Sequence, residues 1–409
     1  MGLALLMAAT GAAHASADEG NWFGFATDTG TEANTQASCT EAATFSLFRA
    51  RVLSGNSGTA TFRFRDAGAD GNQTFQISGT GTNEDATNSD SLTAGDLFNY
   101  SYTDTGSNAG MRWVGGNVSF SSGHGNFHGA GSFAAVVFDV ASATQFIGLA
   151  GNVLADGSAT ENNIEWTNRG YTSFEALQVR VTANARTNNS DFRNRIDGGD
   201  GSLLCQFTAG ATGLISDTSP ADTITDGQTI NASITLDTGV QELSVTLVMG
   251  TLKSSTSKSE TWSSNAAGAP RAASATASYC TVGGVVPNPL LTDETKERIK
   301  IGFAAVVSNL RCYISANTYT VNGTLKLMQN GSAVITTTIG AGGGAAWYEN
   351  TSDTITIDAD DELSFEFDEG TSGSITIRSV GITFAPVAAA GGTLLPKLLQ
   401  HGLFVGSYA

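Results

Sequence analysis

Two pairs of arginines could bind carboxylates at an interface. Arg63 and Arg65 stand at alternate positions of a strand-like segment, and Arg193 and Arg195 repeat the pattern later in the chain. Alternate residues of a strand face the same side, so each pair places two guanidinium groups together. Arginine is the preferred partner of carboxylates at interfaces. We predict bridges to acidic neighbours, within or between subunits, and the alternative is a set of weak, exposed ion pairs.

Three acidic loops could supply oxygen ligands to Ca²⁺, which takes about six to eight of them. The loops lie at 66–72, 197–201 and 358–362. None follows the EF-hand spacing, and Asp-Gly is first of all a turn former. We therefore predict turns here and no resident metal or cofactor. Calcium is the alternative, and a thermal midpoint that changes with EGTA would support it.

Motifs for histidine-bound metal and for catalysis are weak. On a helix, His124 and His128 would share a face and could hold zinc, but Gly123, Gly125 and Gly129 favour a solvated or interface loop. The sequence contains no Gly-x-Ser-x-Gly, P-loop or Rossmann motif. A carboxylate pair for glycoside hydrolysis stays open, because the separation of two carboxylates cannot be read from a sequence. We predict that the chain is not an enzyme and assign no catalytic residue.

The four cysteines match no zinc or CxxC spacing; they are Cys39, Cys205, Cys280 and Cys312. Cys205 and Cys312 share strand parity with apolar neighbours, which predicts inward-facing core thiols. Reduced, buried cysteines are therefore expected, and they agree with assembly in a cytoplasm. A disulfide between Cys280 and Cys312 is the alternative.

The composition excludes several classes of partner. The chain has 20 Lys and Arg against 38 Asp and Glu, a net charge of -18, and only 14% charged residues, where about 25% is usual. Without a basic stripe, it is not expected to bind nucleic acid or anionic membrane surfaces. No run reaches the roughly 20 apolar residues of a membrane span. The shortage of charge indicates surfaces that meet protein neighbours.

Most of the chain alternates between apolar and polar residues, as at 243–247, 354–357 and 363–367. This alternation predicts strands with one buried face. Clusters of Gly, Asn, Asp and Ser interrupt the strands about every 8–12 residues. The best helical candidate, at 291–298, is short. The predicted fold class is all-β, built from antiparallel β-sandwich domains of the jelly-roll type.

The strand pattern occurs three times, which predicts three tandem domains. Each copy begins with a strand, at 47–52, 177–184 and 310–317, and continues with a predicted hairpin turn, at 70–71, 200–201 and 330–331. A polar segment follows at 84–90, 217–222 and 349–353, and then a second turn at 94–96, 226–228 and 359–361. Each copy ends with an edge-like strand, at 117–120, 243–247 and 382–384. The third copy lacks the arginine pair. The predicted domains cover 20–140, 141–265 and 276–387, with a linker at 266–275.

Apolar segments stand at both ends of the chain. Residues 1–19 contain a small apolar run and an Ala-x-Ala sequence without a preceding basic residue, so a docking arm and a secretory signal both stay open. Residues 388–409 are too short for a core and too apolar to stay solvated. We predict that this second arm docks on a neighbouring subunit, and packing on its own domain is the alternative. Its candidate contact residues are Leu394, Leu395, Leu398, Leu399, Leu403 and Phe404.

Four recurring strings carry a resemblance: residues 30–36, the strands that end in Ala183-Asn184 and Ala316-Asn317, residues 85–90, and the turn at 94–96. Together they resemble a repeated β-sandwich module of tailed-bacteriophage virion proteins of the head-decoration and fibre type. The resemblance implies a virion structural protein, either a capsid decoration or cement protein or a head-fibre component. It also implies a homo-oligomer that is assembled in the host cytoplasm and contacts capsid or tail proteins. The alternatives are a receptor- or glycan-binding fibre and a secreted bacterial surface or filament protein.

Overall fold

The computed structural model describes most of the repeat region. The described residues are 19–23, 32–34, 36–54, 58–77, 79–104, 110–122, 124–140, 143–149, 158–239, 241–256, 258–273, 276–286, 290–368 and 372–387. These residues form strands and three 3-10 turns, at Glu32–Asn34, Glu161–Asn163 and Glu294–Lys296, and no α-helix. The all-β prediction is confirmed, and the helical candidate at 291–298 is a single 3-10 turn. Within the described residues, no helix is long and apolar enough to cross a bilayer.

The first domain is a sandwich of two four-stranded sheets. Its strands are β1 Glu19–Phe23, β2 Ala37–Ser38, β3 Ala43–Ser54, β4 Ala60–Asp66, β5 Ala69–Gln76, β6 Gly81–Leu92, β7 Leu97–Asp104 and β8 Gly110–Phe120. One sheet has the order β1-β8-β3-β6 and the other β2-β7-β4-β5.

The second domain repeats this arrangement. Its strands are β9 His124–Phe138, β10 Thr144–Ile147, β11 Trp166–Thr167, β12 Ser173–Asn184, β13 Ser190–Ile196, β14 Gly199–Phe207, β15 Gly213–Asp217, β16 Asp222–Thr223, β17 Thr229–Thr235 and β18 Leu243–Ser254. The sheet orders are β9-β18-β12-β15 and β10-β17-β13-β14, and the short strands β11 and β16 pair with β17 and β12.

The third domain has the same plan with two added short strands. Its strands are β19 Ser259–Ala272, β20 Ser278–Thr281, β21 Gly284–Val285, β22 Ile299–Lys300, β23 Ala305–Asn317, β24 Gly323–Gln329, β25 Ser332–Ile339, β26 Ala346–Ile357, β27 Glu362–Asp368 and β28 Ser374–Pro386. The orders are β21-β19-β28-β23-β26 and β20-β27-β24-β25, with β22 on β27.

All three domains therefore share the jelly-roll strand order. Counted within a domain without the short strands β11, β16, β21 and β22, strands 1-8-3-6 form one sheet and strands 2-7-4-5 the other, which is a double-sheet jelly roll. The closing strands β8, β18 and β28 lie between the first and third strands of their sheets. Their prediction as edge-like strands was wrong, because alternation shows which face of a strand is buried and not which strands flank it.

Each sheet pair encloses its own apolar core. In the first core, Phe45, Phe48, Phe62 and Phe64 are all 0% exposed, and their rings pack at centroid distances of 5.1 to 6.4 Å. The cores of the second and third domains are rich in Leu, Val and Ile instead. Alternation along the strands puts these side chains between the sheets, which follows from the period of two.

Two strands begin earlier than the predicted domain limits suggest. β9 lies within the range 20–140 but pairs with β18, and β19 runs through the predicted linker 266–275 while it pairs with β28. A Cβ on Gly125 would lie 2.7 Å from the carbonyl oxygen of Leu252, so this glycine permits close strand packing. The segment with His124 and His128 is therefore strand, and its prediction as a loop was wrong.

The polar segments aligned in the three copies are structurally equivalent. Opposite the repeated strand stand Asp85, Asp217 and Asn350, paired with Phe48, Leu177 and Leu310. Each of the three accepts a hydrogen bond from the backbone N–H two residues later, at 3.1, 3.2 and 3.2 Å. An Asx side chain that binds the backbone two residues ahead forms a turn. The same turn therefore recurs at the same place in each domain.

We expect the four thiols of the folded protein to react very slowly. Cys39, Cys205, Cys280 and Cys312 are free and buried, which confirms the prediction of reduced core cysteines. Burial raises the pKa of Cys39 and of Cys205 to about 12, and only the thiolate is a strong nucleophile. A disulfide-exchange reagent at pH 8 should label all four thiols in denaturant and almost none in buffer. Rapid labelling of the native chain would contradict this burial.

Candidate functional site: the seams between the domains

Arg65 and Arg195 bind carboxylates within their own domains. Arg65 forms a bidentate ion pair with Glu32, with two N···O distances of 3.0 Å, and a further salt bridge with Asp70. Arg195 repeats it with Glu161, at 2.8 and 2.9 Å, and with Asp200. Two parallel N–H···O bonds fix both position and angle. These pairs attach a 3-10 turn to a hairpin.

The third domain keeps this contact although it lacks the arginine pair. Arg298, two residues after the end of the 3-10 turn Glu294–Lys296, donates two hydrogen bonds to Glu294 at 3.2 and 3.3 Å. Arg298 Nη2 lies over the hairpin turn between β24 and β25, where a Cβ on Gly331 would be only 2.7 Å away. The arginine thus comes from the turn segment instead of from the hairpin strand. Composition alone does not reveal such an exchange.

The remaining predicted contact residues are placed as follows. Arg63 lies 3.5 Å from Asp70, on the face shared with Arg65. Arg193 is half-buried in β13. Leu394, Leu395, Leu398, Leu399, Leu403 and Phe404 lie outside the described residues, as do residues 1–18 of the first arm. A role for all of these in contacts between subunits stays a prediction.

The first seam joins the third strand of the second domain to the first domain. The Gln178 amide accepts a hydrogen bond from Ser38 N at 2.9 Å and donates one to Ser38 O at 2.7 Å. Two residues on, Arg180 Nε donates to Gln36 O at 2.8 Å. Gln178 is 0% and Arg180 7% exposed. We call this the second–first seam.

The next seam joins the third strand of the third domain to the second domain. Arg311 Nε donates to Thr167 O at 3.1 Å, and its Nη2 donates to Glu260 at 2.8 Å. Arg169 donates from its backbone N to Glu260 and from its guanidinium to Glu349, both at 2.5 Å. We call this the third–second seam. Its acceptors include the carboxylates of Glu260 and Glu349, whereas those of the second–first contacts described above are amide and carbonyl oxygens.

The last seam closes the ring between the first and third domains. Arg51 contacts Glu362 at 3.5 Å and also donates to the Thr295 carbonyl. Lys300 Nζ lies 2.9 Å from Glu84 of the first domain and 3.0 Å from Asp360 of its own. We call this the first–third seam. It joins the two domains that are farthest apart in sequence.

The three seams are built from equivalent parts. In each, the third strand of one domain meets the short strand after the 3-10 turn of another; the pairs are β12 with β2, β23 with β11, and β3 with the segment around β22. Contacts between unlike surfaces generate a closed ring when the rotation closes. The second domain binds the first, the third binds the second, and the first binds the third, so the chain forms a ring with cyclic order.

Sequence reasoning missed the residues that form the seams. Gln178 and Arg311 occupy matching positions of the repeated strand, and Arg49 stands at that position in the first copy. The available signal was a polar residue at the same alternate position in every copy of an otherwise apolar strand. A buried polar residue that recurs in this way indicates an interface.

A buried polar cluster adjoins the third–second seam. Tyr171 Oη contacts His128 Nε2 at 2.7 Å and accepts a hydrogen bond from Glu260 N at 2.9 Å. Asn126 donates to Glu260 O at 3.0 Å. Burial holds the pKa of His128 well below its ordinary 6.5. His128 therefore stays neutral at pH 7 and connects strands rather than transferring protons with solvent.

The acidic loops bind protein donors. Asp197 accepts hydrogen bonds from Gln228 and from Thr229 N at 2.9 and 2.8 Å, and Asp361 accepts one from Asp358 N at 2.8 Å. The described residues contain no group of three or more His, Cys, Asp or Glu placed to hold a metal ion. The loops serve as turns in this structure.

An open cleft lies at one end of the second domain. It has a volume of about 740 Å³ and is lined by Ala143, Thr144, Thr187, Asn188, Asn189, Ala209, Thr235, Leu236, Asp237 and Thr238. Four Thr and two Asn side chains contribute hydroxyl and amide groups to the lining, and the Asp237 carboxylate lies among them. Such groups suit a neutral, hydroxyl-rich ligand.

Comparison with known proteins assigns no family: no family model matches the sequence, and no curated protein matches it. Similar solved structures include the insecticidal delta-endotoxin Cry8Ea1 of Bacillus thuringiensis (11% identity, 54% of each chain, TM-score 0.21). Others are the Arthrobacter globiformis T6 isomalto-dextranase (11%, 53% of this chain and 34% of that one, 0.19) and the infectious bursal disease virus VP2 subviral particle (9%, 89% and 75%, 0.17). The chain spans about half the length of the first of these. TM-scores this low support no functional inference.

We expect Gln178→Ala to lower the free energy of unfolding by about 1–3 kcal/mol, because it leaves the half-buried Ser38 N–H and C=O without their Gln178 partner. Urea unfolding of the full chain measures the loss. Gln76→Ala is the matched control, since Gln76 is exposed at the end of β5, and exposed substitutions usually stay within about 0.5 kcal/mol. Equal effects of the two substitutions would contradict the second–first seam.

Proposed function

We propose that the chain is a structural subunit of a virion, in which one polypeptide forms a ring that three separate jelly-roll subunits would otherwise build. The observation that carries the proposal is the cyclic order of the three seams. A closed ring of similar domains supplies a trimer-like unit without an association step. Jelly rolls recur in viral capsid domains and in lectins.

Two further features support a structural role. Polar side chains on the third strand of each domain form hydrogen bonds with a neighbouring domain, as Gln178 and Arg311 do. The charged fraction of 14% lowers the cost of burying surface against other proteins. We infer that capsid or tail proteins and further copies of the chain contact the outside of the ring, with the arms at 1–19 and 388–409 as candidate attachments.

The test is the location of the chain in particles. Antibody raised against the purified protein is applied to particles banded on a density gradient from the natural source of the gene. The proposal expects the chain to band with the particles and immunogold to label their surface. Recovery of the chain only from the particle-free fraction, with a mature N-terminus at Ser16, would contradict it and favour an exported surface protein.

The cleft of the second domain supports glycan or receptor binding as a second candidate. Asn188, Asn189 and Thr238 place exposed polar groups on its rim. Binding sites often lie on loops that a rigid scaffold holds at one end. A glycan array that is positive for the native chain and silent for Asn188→Ala/Asn189→Ala would support this function. An array silent for both would remove it.

A further inference from the structure

The first–third seam contains a buried arginine with two donor nitrogens that have no hydrogen-bond partner. Arg49 is 0% exposed. Its Nε and Nη2 atoms have no hydrogen-bond partner, and burial lowers its pKa to about 10. A buried guanidinium of this kind calls for a partner of opposite charge.

The third–second seam shows which partner the position accepts. Arg311 occupies the position in the third domain that corresponds to Arg49 in the first, and its Nη2 binds the Glu260 carboxylate at 2.8 Å. Glu260 lies on β19, the first strand of the third domain, opposite Thr383 of the closing strand β28. In the first domain, the matching position opposite Asn117 is Asn21. The strand that supplies the carboxylate in the third domain therefore has a neutral residue in the first.

A second side chain adds donors at the same place. Asn117 is 1% exposed, and neither its Nδ2 nor its Oδ1 has a hydrogen-bond partner. Both side chains lie beside Gly302 of the third domain: a Cβ on this glycine would be 3.6 Å from Asn117 Nδ2 and 3.7 Å from Arg49 Nη1. The nearby acids are engaged elsewhere, because Glu84 and Asp360 both bind Lys300. The atoms without a partner are therefore three nitrogen donors, Nε and Nη2 of Arg49 and Nδ2 of Asn117, and one acceptor, Oδ1 of Asn117.

We propose that a small inorganic monoanion, of the size and charge of chloride, binds between Arg49 and Asn117 and completes the first–third seam. Arg49 and Asn117 are 0% and 1% exposed, and Leu47 Cδ1 lies 2.5 Å from the position that a Cβ on Gly302 would occupy. This crowding favours a monatomic ion over a carboxylate or phosphate. The anion takes the place that the Glu260 carboxylate has beside Arg311. Because it binds the closed ring, it stabilises the folded chain by mass action.

The test compares thermal unfolding of the full chain in sodium chloride and in sodium gluconate at equal ionic strength. We expect a higher midpoint in chloride that saturates with concentration and is reproduced by bromide. Arg49→Met should abolish the difference between the two salts. Asn117→Asp should abolish it as well, since it supplies a fixed carboxylate. Arg193→Met, a half-buried arginine outside the seams, should keep it.

Two results of the thermal experiment would overturn the proposal. One is an equal midpoint for the native chain in both salts. The other is a chloride-specific increase that survives in Asn117→Asp, the variant that decides if Arg49→Met does not fold. In crystals grown with bromide, an anomalous peak beside Arg49 is the expected position of the ion, and a peak-free seam would equally contradict it. Virion association does not enter this test, so it succeeds or fails independently of the proposed function.

Discussion

Arg311→Met should lower the free energy of unfolding by about 3–5 kcal/mol, because it leaves Glu260 buried and without its cation. The two side chains are 2% and 0% exposed, and Nη2 lies 2.8 Å from the carboxylate. Arg311 also binds Thr167 O across the third–second seam. Urea unfolding at pH 7 measures the loss. It should exceed that of any single substitution on the exposed face of the ring.

The loss should depend on pH. Burial raises the pKa of Glu260 above its ordinary 4.5, and Arg311 opposes that rise. Without Arg311 the pKa of Glu260 in the folded state rises further. A carboxyl whose pKa is higher in the folded than in the unfolded state lowers stability as the pH rises from the unfolded-state pKa to the folded-state pKa. The deficit of the variant should therefore be small below pH 4.5, grow as the pH rises towards the folded-state pKa of Glu260, and level off above it.

The double variant Arg311→Met/Glu260→Gln provides the control. With both charges removed, most of the lost stability should return, because a buried pair is often replaceable by neutral groups. A double variant as unstable as the single one would show that the seam needs the charges themselves. A single variant as stable as the native chain would contradict the buried pair.

Phe127→Ala should cost about 3–5 kcal/mol, the usual range for a large aromatic side chain deleted from a core. Phe127 belongs to β9 of the second domain, yet it packs in the core of the first. Its ring lies 4.9 Å from Phe120, 5.5 Å from Phe98 and 6.3 Å from Phe45, and it is 0% exposed. The substitution therefore opens a cavity between two domains.

Urea unfolding again measures the loss, and Val321→Ala is the control. Val321 is the exposed large hydrophobic residue of the described chain, at 42%, and its change should stay within about 0.5 kcal/mol. If Phe127→Ala behaved like Val321→Ala, the strand would not be inserted between the two domains as described.

Thermal unfolding distinguishes a coupled ring from independent domains. If the whole chain unfolds as one unit, a loss of 3–5 kcal/mol moves the midpoint by about 4–6 °C, because the unfolding entropy grows with the number of residues. If the affected domain unfolds alone, the same loss moves its own transition about three times as far. The seams predict the smaller shift for both variants.

The strands and turns were predictable because their signals are local. Alternation placed Phe62 and Phe64 inward, and Asn330-Gly331 is the predicted hairpin turn between β24 and β25. The predicted turns at 70–71 and 200–201 were wrong by three residues, because the chain reverses at Ala67-Gly68 and Asp197-Gly198, where both residues have positive φ. The turns at 94–96 and 226–228 even share their chemistry, since Asp96 and Gln228 each accept a hydrogen bond from the backbone N–H three residues earlier. These features depend on neighbours in sequence, so one sequence is enough to infer them.

The seams were not predictable in the same way. Ser38 and Gln178 are separated by 140 residues, and nothing near either residue identifies its partner. Glu260, Phe127 and Asn21 occupy matching positions of the first strand in the three domains. They differ in charge and polarity, which hides their equivalence until the strands are paired. The long-range contacts of a sheet decide such positions, and alternation does not encode them.

Small-angle X-ray scattering of the full chain in dilute solution tests the ring most directly. Three domains joined by three seams should give a radius of gyration of about 22 Å, as expected for one compact unit of this length. Three domains arranged in a row would give about 30 Å or more and a long tail in the distance distribution. The compact value is the result that the seams predict, and the extended one would contradict the closed ring.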